Sequence, residues 1–173
     1  MNYLLIALMG TLPAVVVFLT TYFILKQYLD NEQKKKLLEI NMKNHELVAP
    51  LRFQAYERMV LFLERITPMQ LIVRVMEPGM DVNTLQRNLI AAIRQEFDHN
   101  LSQQLYISSQ AWEMVKNAKE ETVHFINSGA MQLQTEALGT ELAKIILEQF
   151  VQTEITALRN ALDFVKNEFR SIS

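Results

Sequence analysis

The stretch from Tyr3 to Leu25 contains no charged side chain. About 23 residues rising about 1.5 Å each cover roughly 35 Å, enough to cross a hydrocarbon layer of about 30 Å with some tilt. Hydrocarbon offers no partner for peptide N–H and C=O groups, so such a run is expected to be helical. Pro13 inside it removes one hydrogen bond, which membrane helices tolerate. A cleaved secretory peptide would show a basic head, a shorter apolar core and a small-residue cleavage site. Only Met1-Asn2 precedes this run and no Ala-x-Ala follows it, so a retained anchor over residues 1–25 is the expectation.

The flanks give an orientation. Lys26, Lys34, Lys35, Lys36 and Lys43 follow the apolar run, and no basic side chain precedes it. The positive-inside rule then puts the N-terminus outside and the rest of the chain in the cytoplasm. For a bacterial protein the membrane is the inner one. The run holds no Asp, Glu, Lys, Arg or His, which a proton or ion path needs, so it reads as a tether. Gly10 and Ala14 form a weak small-xxx-small pair that would admit a second membrane helix. Residues 26–49 are rich in helix formers but lack a clean apolar stripe: Leu29, Gln33, Lys36, Ile40 and Leu47 mix both characters. They read as a solvated juxtamembrane helix.

Residues 50–173 read as an all-helical domain. Four Gly and four Pro are too few for the many tight turns of a sheet protein. Pro50 is expected to break or kink the chain before a helix bearing Phe53, Tyr56, Met59, Val60 and Leu63. Thr67-Pro68 is a helix start, with Thr67 as N-cap and Pro68 at the first helical position. Glu77-Pro-Gly is a turn and Asp81 an N-cap. Leu85, Leu89, Ile93, Phe97, Leu101 and Leu105 recur every four residues and predict one amphipathic helix. Ser108-Ser109 ends it and caps the next, whose inner face is Trp112, Val115, Ala118, Thr122 and Ile126; Ser128-Gly129 is the stop.

The last helix is expected from about Met131 to about Phe169. Val151, Ile155, Leu158, Leu162, Val165 and Phe169 alternate four and three apart, a coiled-coil-like seam. Leu138, Leu142 and Ile145 share its register. Gln149 and Gln152 then fall where apolar residues are due, so the seam drifts. Either Gly139 breaks this helix or part of it projects and pairs with a protein partner or a second copy of the chain.

The sequence specifies no catalytic, cofactor-binding or metal-binding residue. It has no Cys, which excludes a disulfide framework, Cys-ligated zinc, an iron–sulfur cluster and a thiol nucleophile. There is no phosphate-binding glycine loop, Gly-x-Ser-x-Gly elbow or zinc-protease helix. Glu96-Phe-Asp-His99 and Glu121-Thr-Val-His124 imitate the paired Glu-x-x-His of di-iron bundles. At about 100° per residue both histidines point away from their helices' apolar faces, so a metalloenzyme is the weakest reading. His45 has no second ligand at metal spacing. Net charge is −2 and pI about 5.9, so no basic field draws in nucleic acid. Arg52, Arg58 and Arg65 recur along one helix among Glu57 and Glu64; solvated charge is the common explanation, contact with a phosphate or acidic partner the alternative.

One uncharged span followed by lysines and helices is similar in layout to rotary-ATPase stalk subunits, but Pro50, Pro68, Pro78-Gly79 and Gly129 interrupt this chain. The segments Leu51-Arg-Phe-Gln-Ala-Tyr-Glu-Arg-Met, Thr67-Pro68, Glu96-Phe-Asp-His-Asn-Leu-Ser-Gln-Gln-Leu-Tyr-Ile-Ser and Ala111-Trp112 resemble small single-span membrane proteins of Bacteroidota. That resemblance implies no activity and assigns no functional residue. The expectation is therefore a non-catalytic, membrane-anchored helical interaction module, or an accessory subunit of a larger membrane complex.

Overall fold

The computed structural model describes residues 2–134 and 136–172, without the side chains of residues 2–12, 14, 41, 44 and 45. It is all-helical: α1 (Asn2–Arg65), α2 (Pro68–Val75), α3 (Val82–His99), a 3₁₀ turn (Leu101–Leu105), α4 (Ser109–Ala130), α5 (Gly139–Gln152) and α6 (Thr156–Ile172). The chain divides into two compact units, Met1–Ala49 and Pro50–Ser173.

In the first unit, the described side chains are exposed apart from half-buried Glu32 and Ala49. Among the described residues, no helix is long and apolar enough to cross a membrane. The expected span, Tyr3–Leu25, rests largely on side chains 3–12 and 14, which lie outside the described residues, as do His45 and the Gly10/Ala14 pair. Of the break or kink expected at Pro50, the break is not found, since Pro50 lies inside α1. The proline costs α1 one backbone hydrogen bond, and the helical run continues to Arg65.

In the second unit, α4 packs against α3, α5 and, most extensively, α6, while α3 also meets α2 and α5. The sequence explains the contacts. Leu85, Leu89, Ile93 and Phe97 on α3 are buried, as are Trp112, Val115, Ala118, Thr122 and Ile126 on α4. From α1 come Tyr56, Met59, Phe62 and Leu63, and from the turn after it Ile66. Phe97 links three helices: its ring stacks on Trp112 at 5.2 Å and meets Phe62 at 5.8 Å. Lys119 Nζ lies 4.4 Å from the Phe97 ring centre, a cation–π contact on the same side chain. Thr122, buried on α4, donates its hydroxyl to the Ala118 carbonyl at 2.8 Å, so its polar atom is satisfied.

Local chemistry sets the helix ends. Gly79 takes φ 84°, a left-handed turn that favours glycine. Asp81 then caps α3, accepting from the Thr84 N–H at 2.6 Å. That N–H, then the Thr84 side chain, holds the Asp81 carboxyl below its ordinary pKa. Ser108 caps α4 in the same way, accepting from the Ala111 N–H at 3.0 Å. Thr67 stands at the N-cap of α2, but its hydroxyl donates back to the Glu64 carbonyl instead of accepting from α2. Proline at the first helical position has no N–H to cap.

Three expectations about helix length are corrected. The α3 pattern does not run to Leu105: the α-helix ends at His99, where Asn100 donates its side-chain N–H to the Glu96 carbonyl at 2.8 Å. The tighter 3₁₀ turn changes the side-chain period, leaving Leu101 and Leu105 exposed. Gly129 does not stop α4 but lies buried in its last turn, where an added Cβ would stand 3.2 Å from Ile146 Cγ1. Its role is to let α5 approach. Finally, the C-terminal helix of about 40 residues is broken at Gly139, one of the two outcomes expected, and is then two helices. It starts at Gly139, and Thr153 interrupts it with φ −137° and ψ 95°, an extended conformation. The break falls where Gln149 and Gln152 end the apolar stripe, so nothing rewards continuing the helix there.

Two backbone hydrogen bonds fasten the end of the loop before α5, and Leu133 and Ala137 of that loop pack against the core. Val82 N–H donates to the Ala137 carbonyl at 3.1 Å and Gly139 N–H to the Met80 carbonyl at 2.8 Å, forming an isolated antiparallel bridge between Asp81 and Leu138. A Cβ on Gly139 would stand 2.9 Å from the Met80 carbonyl oxygen. Gly139→Ala is thus expected to destabilise the fold by about 1–3 kcal/mol in urea unfolding. Ile93→Ala should cost about 2–5 kcal/mol, whereas Leu105→Ala should stay within about 0.5 kcal/mol. Equal losses at Ile93 and Leu105 would contradict the shortened helix.

Candidate functional site

The residues singled out by sequence scatter into different environments. Lys26, Lys34, Lys35 and Lys36 are exposed on α1. His99 and His124 are exposed on α3 and α4, and among the described residues no group of three or more His, Cys, Asp or Glu side chains is placed to hold a metal. The C-terminal seam mostly turns inward. Ile155, Leu158 and Val165 are buried, and Leu162 and Phe169 are half-buried against the same core. Val151 alone among the six is exposed, at 78%, on the far side of the Thr153 break. The heptad spacing reflects packing of α6 onto the domain's own helices; as a surface for a second chain, the seam is occupied.

Two surface features of the second unit bring separate elements together. The first is an apolar groove of about 990 Å³ between the Pro50–Leu61 part of α1 and the end of α6. Leu51, Phe53, Val60, Leu61 and Phe169 supply its apolar wall, and Gln54, Glu57, Lys166 and Arg170 its polar edge. The Phe53 and Phe169 rings meet edge-on at 5.5 Å, which fixes one wall. Lys166 Nζ lies 3.4 Å from Glu64 Oε1, an exposed pair that adds little stability. Leu61 is 52% exposed there, so the groove has an unshielded apolar lip.

Beside Tyr56, which lines this groove, lies a partly buried polar junction. Ser108 Oγ donates to Glu168 Oε2 at 3.0 Å, tying the start of α4 to α6. The Tyr56 hydroxyl, on a side chain 1% exposed, lies near Glu168, Arg52 and the Ser108 backbone but meets none of them in hydrogen-bond geometry. Burial and then the Glu168 charge push its pKa up, since both oppose a phenolate.

The second feature is a charged cleft. Arg65 Nε lies 3.2 Å from Glu96 Oε2. Depressions of about 340 and 320 Å³ share Arg65, Glu96 and His99; Arg58 and Asn100 line one, Arg74 and Gln95 the other. Arg58 and Arg65 are two of the three arginines noted along α1, whereas Arg52 lines neither depression. Sequence reasoning missed the rest. Arg74 sits on another helix, Glu96 stands out in the sequence only as half of a metal-like motif, and no local period signals that they meet.

Tyr56→Phe removes an unpartnered buried hydroxyl, so stability should rise by about 1 kcal/mol. The same substitution should change the alkaline limb. Below about pH 10 the phenol is protonated in both folded and unfolded chains and contributes no slope. Above it the unfolded chain loses its proton first, so stability falls as pH climbs towards the raised folded pKa. Urea titrations from about pH 9.5 to 11.5 should show a steeper loss in the parent chain than in Tyr56→Phe.

Comparison with the curated proteins and with the solved structures gave no match. Residues 2–172 match a family of unknown function, DUF7935, which takes in both units and both surface features. The chain belongs to that family.

Proposed function

We propose that the protein is a non-catalytic, single-pass membrane-tethered helical module that binds a protein partner at the cytoplasmic face of a bacterial inner membrane. The observation that carries this reading is the state of α1 from Val15 to Leu25. Val15, Val16, Val17, Phe18, Leu19, Tyr22, Phe23, Ile24 and Leu25 are all exposed. A contiguous apolar surface of that kind marks contact with a membrane or another protein. It continues an uncharged sequence that begins at Tyr3 and is followed by Lys26 and Lys34–Lys36, which favours the membrane and sets the orientation. The expected partner surface moves from the α6 seam to the groove between α1 and α6. Its apolar wall and charged edge suit an amphipathic helix of another protein, laid in by its apolar face.

Expressed at full length, the chain should remain in the membrane fraction after alkaline carbonate washing, and a chain lacking residues 1–25 should not. Release of the full-length chain would remove the tether. Purification in mild detergent tests the partner. Leu61→Glu should deplete a co-purifying protein about tenfold or more, because a charge would be buried against an apolar face. A set of subunits held at fixed stoichiometry and insensitive to this change would instead favour the accessory-subunit reading.

A further inference from the structure

The charged cleft carries an inference independent of the tether and the groove. Two elements bring guanidinium groups to one small depression: Arg65 from the end of α1 and Arg74 from α2. Arg74 Nη2 lies 3.5 Å from the Arg65 carbonyl oxygen, which places the second guanidinium beside the residue that bears the first. Gln95 and His99 line the same depression from α3. Like charges drawn together repel unless a counter-charge sits between them. Glu96 is the one carboxylate lining it, and Arg65 Nε already engages that group at 3.2 Å. Among the described residues Arg74 has no carboxylate partner, so the local balance stays positive. This occurs in a chain whose net charge is −2.

We propose that this depression binds a phosphate monoester. A guanidinium presents five N–H donors in a planar fork, and Arg65 spends only its Nε on Glu96. Arg74 spends one Nη2 N–H on the Arg65 carbonyl, and Arg65, Arg74 and Gln95 line a space of about 320 Å³. That space admits a phosphate group and a short ester arm but not a folded polypeptide segment. A tetrahedral dianion offers oxygens to both forks at once, whereas a second carboxylate satisfies one in its plane. The ester is either a free phosphorylated small molecule or the phosphomonoester headgroup of a lipid; both present the same chemistry to the arginines.

The test uses the full-length chain in a nonionic detergent, titrated with inorganic phosphate at constant ionic strength and followed by calorimetry and thermal unfolding. Saturable binding and a rise in the unfolding midpoint are expected. Arg74→Gln should weaken binding about tenfold, the loss of one charge-assisted contact. Lys144→Gln, which removes the same charge from an exposed site on α5, should not. Gln95→Glu, which leaves both arginines in place, should abolish binding by adding a negative charge; it serves if Arg74→Gln fails to fold. An effect reproduced by chloride at equal ionic strength, or one unchanged by both Arg74→Gln and Gln95→Glu, would overturn the proposal. Comparison of glycerol 3-phosphate with short-chain phosphatidic acid separates the sources. Tighter binding of the lipid assigns a headgroup, and equal binding assigns a free ester.

Discussion

Burial of α4 is the constraint on which the second unit depends. Its Trp112, Val115, Ala118, Thr122 and Ile126 side chains must leave water together, and one neighbour cannot cover them. Helices α3, α5 and α6 therefore all pack on it. Each contact has its own device. Phe97 reaches α4 from α3 by stacking on Trp112, Gly129 gives up its side chain so that Ile146 of α5 can come close, and Ser108 holds Glu168 of α6 by a hydrogen bond. Apolar burial supplies the drive here, while the glycine and the hydrogen bond select the geometry.

Where one residue decides a local structure, the sequence was legible. Asp81 and Ser108 cap the helices their positions announce, and the four-residue spacing from Leu85 to Phe97 lies on the buried face of α3. Legibility ended where two signals competed. Leu101 and Leu105 continue the apolar spacing, yet Asn100 terminates the helix by bonding to the Glu96 carbonyl and the period changes after it. The α6 seam shows the same ambiguity in another form. Heptad spacing specifies a buried face but not whose helix buries it, and here it is the chain's own. The surface features were largely hidden. The groove joins Phe53 to Phe169, and the cleft joins Arg65 to Arg74 and Glu96. Such meetings are set by the order of packing, not by any spacing along the chain.

The two surface features of the second unit also differ in physical kind. The groove is an apolar lip left uncovered when α6 packs, and its value to a partner grows with area removed from water. The cleft is a charge imbalance set by how α1, α2 and α3 pack, and its strength depends on ionic strength. Glu57, Gln54 and Leu61 line both the groove and the Arg58 side of the cleft, so the two lie on adjoining surface of one helix.

The bridge between Asp81 and Leu138 is made by peptide groups alone. Main-chain donors are the same for every residue except proline, so outside Gly139, where there is no room for a Cβ, this fastening does not depend on which side chain is present. Leu138 itself is exposed. Variation at Leu138 can drift while the clip endures, whereas proline at position 82 or 139 would delete one of its two donors and free the loop that positions α5. The clip itself is thus written in backbone, and the side chain at Leu138 carries little information about whether it persists, whereas at Gly139 the backbone comes so close that any side chain is felt.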